Sequence, residues 1–144
     1  MQIRQMTAAD LDEVARLEQE IFSDPWSRQS MQKEYSQPAN IYLTADVDGE
    51  VAGYCCVWTS LENADLCNLA VAPKWRKRGI ASALLEEAVK LCRCSRVEML
   101  FLEVRVSNAP AINLYEKKNF QVIHTRKKYY RNPVEDALVM QRVI

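Results

Sequence analysis

A basic segment that ends in a glycine stands immediately before a helical pattern. The segment is Arg76-Lys77-Arg78-Gly79, and the apolar stripe of the helix begins at Ile80. Cations at a helix N-terminus oppose the helix dipole, which costs roughly a few tenths of a kcal/mol in the free protein. The unpaired amides of a first helical turn bind phosphate oxygens, and a glycine lets a ligand approach the backbone closely. The pattern therefore predicts a diphosphate site, with a solvated basic turn as the alternative interpretation.

Two common phosphate-binding motifs do not fit this segment. No Gly-Lys-Ser/Thr closes it as in a Walker loop, and the G-x-G-x-x-G pattern of dinucleotide-binding folds is missing. The sequence therefore disfavours a nucleoside triphosphatase and a dinucleotide-dependent enzyme.

The elements before the basic segment are two helices and an antiparallel meander of strands. Thr7 and Asp10 fit a capping box, and apolar residues then recur at helical spacing. Asp48-Gly49 is a strong hairpin signal, since a type I′ turn needs a positive φ at both central residues. The predicted helices span 8–22 and 28–36, and the predicted strands span 41–47, 51–58 and 64–71.

The elements after the basic segment alternate between helix and strand. Asn108 can cap the second of two helices, and Asn119 follows where a left-handed residue would end that helix. The run VEMLFLEV is almost continuously apolar, which predicts a strand covered on both faces, with Glu103 and Phe101 on one face and Leu102 on the other. The predicted helices span 80–91 and 109–118, and the predicted strands span 97–104, 120–124 and 137–143. This order predicts a single α/β sheet of mixed direction.

Composition limits the class of protein. The 144 residues are expected to form one domain, residues 1–144, and Lys plus Arg balance Asp plus Glu at 19 each, which argues against a duplex DNA partner. Five cysteines without paired metal-ligand spacing predict reduced thiols and no metal site. No apolar run approaches the ~18 residues of a membrane span, so we expect a soluble cytoplasmic protein without a membrane partner.

Several segments resemble one known family. Arg76-x-x-Gly79-x-Ala81, directly after LAVAP, is similar to the acetyl-CoA pyrophosphate motif R/Q-x-x-G-x-G/A of the GNAT superfamily of N-acetyltransferases. Over essentially the whole chain, the order and spacing of motifs resemble the bacterial ribosomal-protein-alanine N-acetyltransferases, on the segments LCNLAVAP, RKRGIASALL, LEVRVSNAPAINLYEKKNF and KYYRNPVEDALVM. Two residues depart from the commoner pattern. Ala81 replaces a second glycine, and Asn119 stands where most relatives have glycine; the alanine methyl is small, and asparagine tolerates a positive φ.

The resemblance implies the GNAT fold and a binding mode for acetyl-CoA. The fold is α/β, with a single mixed central sheet of six to seven strands and about four helices on its two faces. Acetyl-CoA would lie at the splayed centre of the sheet as a co-substrate, without a metal. Asn108 matches a residue that contacts CoA in relatives, a role compatible with capping its helix. The other implied cofactor-binding residues are Leu69, Ala70 and Val71 beside the pantetheine, and Lys77, Arg78, Gly79, Ile80, Ala81 and Ser82 around the pyrophosphate.

The same resemblance implies two catalytic residues. Acetyl transfer to an amine needs a base for the ammonium proton and an acid for the departing thiolate. The family pattern L-E-V-R-x-S-N has its general base at Glu103, although the residues alone favour a strand-end carboxylate paired with a neighbour such as Arg105. The family has its general acid at Tyr115, which helical spacing alone would assign to the core.

The connection before the last strand is a candidate part of the acceptor groove. Tyr129 and Tyr130 are expected to precede that strand, with Glu135 and Asp136 in the same connection. In similar enzymes this segment lines the peptide groove, where tyrosines could bond a peptide backbone and carboxylates could attract a cationic terminus. The alternative is a polar hairpin loop, and the basic run 126–128 is expected to be a solvated face.

The function implied by the resemblance is transfer of acetyl from acetyl-CoA to the N-terminal α-amino group of a protein. The expected acceptor is the N-terminal alanine of a small-subunit ribosomal protein. Direct attack in a ternary complex is expected, because no cysteine is placed like an acyl carrier of the family. The alternatives are another amine, such as a lysine side chain, a polyamine or a small molecule, and a CoA-binding module without turnover. Direct nucleic-acid binding is not expected at zero net charge.

Overall fold

Seven strands and four helices make up the computed structural model, which describes residues 1–144. The strands are β1 (Gln2–Gln5), β2 (Ile41–Val47), β3 (Glu50–Ser60), β4 (Asn63–Val71), β5 (Met99–Arg105), β6 (Gln121–Tyr130) and β7 (Glu135–Val143). The helices are α1 (Leu11–Ile21), α2 (Arg28–Tyr35), α3 (Ile80–Cys94) and α4 (Ala109–Lys117). None of the helices is both long and apolar enough to cross a membrane.

All seven strands belong to one sheet of mixed direction, as predicted. Their order is β1-β2-β3-β4-β5-β7-β6. Every neighbouring pair is antiparallel except β4 and β5, which are parallel because α3 carries the chain from the end of one to the start of the other. The predicted fold class, a mixed sheet of six to seven strands with about four helices, is confirmed.

The helices cover the two faces of the sheet in two separate apolar layers. On one face, α3 buries Ile80 and Leu84 against the sheet, and α4 contributes Tyr115 to the same cluster. On the other face, α1 and α2 form a second cluster that includes Leu11 and Met31. The neighbouring residues Cys55 and Cys56 enter different clusters, since successive side chains of a strand point to opposite faces.

A glycine in β3 lets α3 lie close to the sheet. A Cβ atom on Gly53 would lie 2.7 Å from the carbonyl oxygen of Ala70 and 3.3 Å from Cδ1 of Leu84. The first of these distances is shorter than side-chain atoms tolerate. The missing side chain therefore sets the separation between the sheet and the first turns of α3.

Capping and turn residues in the sequence correctly predicted several ends of helices and strands. Asp10 accepts hydrogen bonds from the Thr7 amide at 2.8 Å and from the Thr7 hydroxyl at 3.0 Å, so the predicted capping box is present at a short 3-10 turn before α1. Asp48 and Gly49 both have positive φ, as the predicted type I′ turn requires. Asn119 has φ +68° after α4, which confirms the predicted left-handed residue.

Three expectations about the strands were wrong. β1 has no counterpart in the prediction. β6 runs to Tyr130 and β7 starts at Glu135, so the residues expected in a long connection lie in the two strands, and only 131–134 connect them. β5 is buried on one face only: Leu102 is buried, whereas Phe101 is half-buried and Glu103 is exposed on the opposite face. The alternation of these three residues is as predicted.

The parallel strands β4 and β5 stay together over a short distance. Their paired residues run from Asn63 with Met99 to Leu66 with Leu102. In β4 the next residue, Cys67, is an extra residue relative to β3, where the register shifts between Cys56 and Val57. Beyond this point β4 continues to Val71 and β5 to Arg105 without pairing to each other, so a cleft opens in the middle of the sheet.

Candidate active site

The loop that enters α3 presents a row of free backbone amides. None of the amides from Lys77 to Ser82 donates a backbone hydrogen bond, and the first to do so is that of Ala83, to the Gly79 oxygen at 3.0 Å. Lys77 and Gly79 both have positive φ, +64° and +78°, which turns the chain sharply before the helix. A Cβ atom on Gly79 would have no neighbour within 4 Å, so the glycine is required by its φ rather than by crowding.

Several cations of this loop contact the protein itself. Arg76 Nε donates to the Val71 carbonyl oxygen at 3.1 Å, which ties the loop to the end of β4. Arg78 and Lys74 lie over the Trp75 ring at 4.9 and 5.5 Å from its centroid. These contacts offset the unfavourable placement of positive charge at the helix N-terminus, and they leave the amides as the groups without partners.

The end of β4 forms one wall of the cleft. Ala70 packs into the layer of α1 and α2, whereas Leu69 and Val71 pack on the layer of α3. Since β5 pairs with β4 only as far as Leu66, the backbone from Leu69 to Val71 has no strand partner on the cleft side. An extended ligand with amide groups could add hydrogen bonds there, as a strand would.

Glu103 lies on β5 beyond the last residue paired with β4, on the part of the α1 and α2 face that these helices do not cover. Its Oε2 lies 2.9 Å from Arg126 Nε in an ion pair, and its Oε1 accepts a hydrogen bond from the Tyr129 hydroxyl at 3.4 Å. The alternative partner considered from the sequence, Arg105, does not contact it. The basic run expected to be a solvated face thus contributes Arg126 to the site.

Tyr115 is a core residue with a hydroxyl that has no partner in the chain. Its side chain packs edge-to-face on Phe120, with ring centroids 5.7 Å apart, and only 8% of the residue is exposed. The hydroxyl makes no hydrogen bond and is not one of the fully enclosed, unpartnered side-chain polar atoms, which are Thr44 Oγ1 and Trp75 Nε1. Burial raises the pKa of Tyr115 well above its ordinary value, so the phenol is protonated at neutral pH.

Glu103 and Tyr115 face opposite sides of the sheet. Tyr115 belongs to the α3 layer with Leu102 and Val104, whereas Glu103 points away from that layer. Glu103 is the first residue of β5 beyond the last pair with β4, Leu66 with Leu102. Asn108, at the start of α4, accepts a hydrogen bond from the Ala111 amide at 3.3 Å, which confirms its capping role.

Arg105 connects the loop after α1 with the turn of residues 131–134. It donates to the carbonyl oxygens of Arg131 at 2.8 Å and Pro133 at 3.0 Å, and to Ser23 Oγ, after α1, at 3.4 Å. Its guanidinium also lies 4.5 Å from the centroid of the Tyr130 ring. The result is a tie between the connection after α1 and the turn between β6 and β7.

The acidic pair expected to attract a cationic terminus has partners inside the chain. Glu135 accepts hydrogen bonds from the Ser107 amide at 2.7 Å and from Arg105 at 3.2 Å. The Ser107 side chain, its amide and Arg105 together lower the pKa of Glu135. Asp136 accepts from the Lys128 amide at 2.8 Å and from Lys127 Nζ at 3.3 Å. Both carboxylates therefore stabilise the hairpin of β6 and β7.

Residues 11–120 match the sequence profile of the acetyltransferase (GNAT) family. The chain belongs to the GNAT acetyltransferase family. The predicted resemblance is thus confirmed, and with it the acetyl donor, because GNAT enzymes take the acetyl group from acetyl-CoA.

Similar proteins cover nearly the whole chain. A Bacillus subtilis protein, a candidate ribosomal protein bS18-alanine N-acetyltransferase, is 39% identical over 139 residues, which are 96% of this chain and 92% of the relative. The ribosomal protein bS18-alanine N-acetyltransferase of Escherichia coli strain K12 is 33% identical over 141 residues, with 96% and 94% covered. The crystal structure of the Escherichia coli ribosomal-protein-S18-alanine N-acetyltransferase superposes with a TM-score of 0.92 at 31% identity, covering 99% of this chain and 93% of that one.

A buried glutamate in this GNAT enzyme was missed from the sequence. Glu18 in α1 is 2% exposed. Its Oε1 accepts hydrogen bonds from the Tyr54 hydroxyl at 2.6 Å and from Asn68 Nδ2 at 2.7 Å, and its Oε2 accepts one from the Trp26 amide at 3.0 Å. One carboxylate thus joins α1, β3, β4 and the loop before α2. The available signal was its position, four residues after Val14 on the apolar stripe of α1.

Removal of this carboxylate should destabilise the fold strongly. We expect Glu18→Ala to lower the free energy of unfolding by about 2–4 kcal/mol, because the buried Tyr54 hydroxyl loses its acceptor at about 1–3 kcal/mol and the partly buried Asn68 and Trp26 donors add less. Glu18→Gln should cost about half as much, since its carbonyl oxygen can keep the Tyr54 and Asn68 bonds. Urea unfolding measures the effect.

The control for this experiment is Glu20→Ala in the same helix. Glu20 is exposed and pairs only with Arg16 at 2.9 Å, so its loss should change the free energy of unfolding by less than about 0.5 kcal/mol. Equal losses for Glu18→Ala and Glu20→Ala would show that the buried network does not stabilise the fold.

Proposed function

We propose that this GNAT enzyme transfers acetyl from acetyl-CoA to the N-terminal α-amino group of a protein, and that the acceptor is the N-terminal alanine of ribosomal protein bS18. The observation that carries the proposal is similarity over nearly the full length to the Escherichia coli enzyme whose name states that reaction. The bacterial relatives with this name share the whole domain rather than only the acetyl-CoA motif. Full coverage includes the strands that carry the acceptor side of the site.

The residues around the cleft fit acetyl-CoA. The free amides from Lys77 to Ser82, at the N-terminus of α3, would hold the pyrophosphate. The unpaired backbone of Leu69, Ala70 and Val71 would bond the pantetheine arm, and Asn108 would contact CoA from the start of α4. When bound, acetyl-CoA supplies a thioester, whose carbonyl carbon is attacked by the amine.

Glu103 is proposed as the general base. An α-amino group has a pKa of about 7.7–8.0 and is mostly protonated at neutral pH. Glu103 is accessible from the open face of the sheet, where an extended peptide could reach it, and both carboxylate oxygens can accept hydrogen bonds. It would take up the proton that the ammonium group must lose before attack.

Tyr115 is proposed as the general acid. Its phenol carries a proton at neutral pH, as an ordinary tyrosine does, and the hydroxyl has no competing hydrogen-bond partner in the chain. Its side chain lies in the α3 layer, whereas Glu103 faces the opposite side of the sheet, which supports separate roles for the two residues. A proton lost on the acceptor side and a proton gained by the leaving thiolate would therefore be handled by separate residues.

Direct transfer in a ternary complex is favoured by the state of the cysteines. Cys55 and Cys56 are buried in the two apolar layers. Cys67 lies at the bulge beside the cleft, but burial and the nearby Asp65 raise its pKa to about 12. A thiol that stays protonated is a poor nucleophile, so an acetylated cysteine is not required in the proposed reaction.

Tyr129 and Tyr130 are proposed to border the acceptor groove. Their rings pack edge-to-face with centroids 5.1 Å apart, and Arg105 holds Tyr130 beside the turn of residues 131–134. Tyr129 is exposed and already reaches Glu103. A peptide entering between this hairpin and the loop before α2 would pass these hydroxyl groups on its way to the base.

The acetylated position decides between this proposal and acetylation of lysine. An alanine-initiated peptide that contains an internal lysine should gain one acetyl group, at its N-terminal nitrogen, by mass spectrometry. The same peptide with a blocked N-terminus should gain none, and a lysine-free peptide with a free N-terminus should be acetylated as well. Acetylation of lysine in the blocked peptide would contradict the proposal.

Replacement of the base should change the pH dependence of the rate. Glu103→Gln should lower kcat by about 10²-fold or more at pH 7. The deficit should shrink as the pH rises above about 8, because the free amine then forms without a base. The exposed Glu98→Gln serves as the control. A constant ratio of wild-type to variant rates across the pH range would remove Glu103 from the role of base.

The proposed diphosphate loop can be tested by coenzyme A binding. Gly79→Val should weaken binding at least ten-fold, because a valine at a φ of +78° forces the loop to change shape. Gly49→Val is a matched control, since Gly49 has φ +83° and also has no neighbour within 4 Å of an added Cβ, but lies in the turn between β2 and β3. Calorimetric titration measures both; equal affinity of the two variants for coenzyme A would contradict the assignment.

A further inference from the structure

The proposed base is already paired with a cation of its own chain. Arg126 Nε lies 2.9 Å from Oε2 of Glu103, and the Tyr129 hydroxyl lies 3.4 Å from Oε1. The Arg126 guanidinium is also 5.7 Å from the centroid of the Tyr129 ring. In the free protein, Arg126 therefore already occupies Oε2 of Glu103, one of the two oxygens that an incoming ammonium group can contact.

The ion pair of Arg126 and Glu103 is exposed enough for another cation to replace Arg126. The side chains of Arg126 and Glu103 are 52% and 31% exposed, and exposed ion pairs contribute little to stability. Arg126 also adjoins an irregular stretch of the hairpin, because the register of β6 with β7 shifts between Arg126 and Tyr130. Within this stretch Lys128 has φ +49°. Nothing in the core depends on the Arg126 guanidinium.

We propose that Arg126 occupies, in the free protein, the site on Glu103 to which the acceptor's ammonium group binds, and that the ammonium group displaces Arg126 when the acceptor binds. This inference rests on the proposed function of Glu103. Two cations at one carboxylate oxygen repel each other, so the ammonium group and the guanidinium compete for Glu103. The displaced guanidinium can remain over the face of Tyr129, where a cation is also favoured.

The exchange makes the site selective for a cationic terminus. A blocked N-terminus has no positive charge to offer Glu103, so it cannot replace Arg126. The apparent affinity for a true acceptor includes the cost of breaking the internal pair. Removal of Arg126 should therefore strengthen binding of a free N-terminus and leave binding of a blocked one unchanged.

The test compares Arg126→Gln with Lys127→Gln, which removes the same charge one residue away. Lys127 is 80% exposed and pairs with Asp136 rather than with Glu103. An alanine-initiated peptide with a free N-terminus is titrated into each protein in the presence of coenzyme A, and its KM is measured separately with acetyl-CoA. Arg126→Gln should lower the dissociation constant and KM by about two- to five-fold, with kcat changed by less than about two-fold. Lys127→Gln should change each by less than about 1.5-fold, and Arg126→Lys should stay close to the wild type.

A double-mutant cycle isolates the pair. In the Glu103→Gln background, Arg126→Gln should no longer change the affinity for the free peptide, because no carboxylate is left to be released. The N-acetylated peptide should bind the wild type and Arg126→Gln equally. The thermal midpoint of Arg126→Gln should match that of the wild type, and Arg126→Lys provides a second variant that keeps the cation.

Three outcomes would overturn the inference. Weaker binding of the free peptide to Arg126→Gln would make Arg126 a binding residue, and a lower kcat at unchanged affinity would make it an orienting residue for Glu103. Equal effects of Arg126→Gln and Lys127→Gln would reduce the role to general charge repulsion. The proposed function fails separately. If the wild-type enzyme does not acetylate the free N-terminus, both the proposed function and the role of Arg126 are rejected. If the wild-type enzyme acetylates it but Arg126→Gln binds the peptide with unchanged affinity, only the role of Arg126 is rejected.

Discussion

The separation of β4 and β5 after Leu66 and Leu102 is the constraint on which the rest of the site depends. A parallel sheet normally satisfies the backbone groups of each strand with its neighbour, and groups left without a partner must find one in water or a ligand. Here the strands part while each still has several residues to run. The gap frees the β4 backbone on one side and brings Glu103 out of the paired region on the other.

The two ends of the gap are built differently. At the donor end, the groups without partners are backbone amides at the start of α3, held by the positive φ of Lys77 and Gly79. At the acceptor end, the polar groups are side chains, and almost all of them are bonded to one another: Glu103 with Arg126, Arg105 with Glu135. The free amides on one side and the side-chain pairs on the other therefore suit the roles proposed for them, which are binding of a constant donor and exchange with an acceptor.

Local chemistry made much of this fold predictable. Capping at Thr7 and Asn108, the turn at Asp48-Gly49 and the alternation around Glu103 each depend on residues close in sequence, and each was confirmed. The length of β6 was not predictable in the same way. Residues 126–129 are exposed and have no apolar alternation, and β6 extends to Tyr130 because Arg126 and Tyr130 each pair with a residue of β7.

The side-chain pairs of the site could not be predicted from the sequence for a related reason. Arg126 and Glu103 are distant in sequence and meet because β7 lies between their strands in the sheet, an order that the sequence pattern does not reveal. Arg105 was the nearer candidate for Glu103, because residues two apart in a strand lie on the same face. Its guanidinium does not pair with the carboxylate. Arg105 instead reaches the turn of residues 131–134.

This division explains how one fold can combine a constant donor with a chosen acceptor. Backbone amides can bind a diphosphate whatever side chains surround them, provided that the φ angles hold, so under the proposed function Ala81 fits where a second glycine is common. Side-chain pairs, by contrast, can open and re-form with a new partner at little cost when they are exposed. The proposed function therefore implies that substitutions on β6 and the 131–134 turn change selectivity for the acceptor, while the proposed diphosphate loop and the buried Glu18 network stay intact.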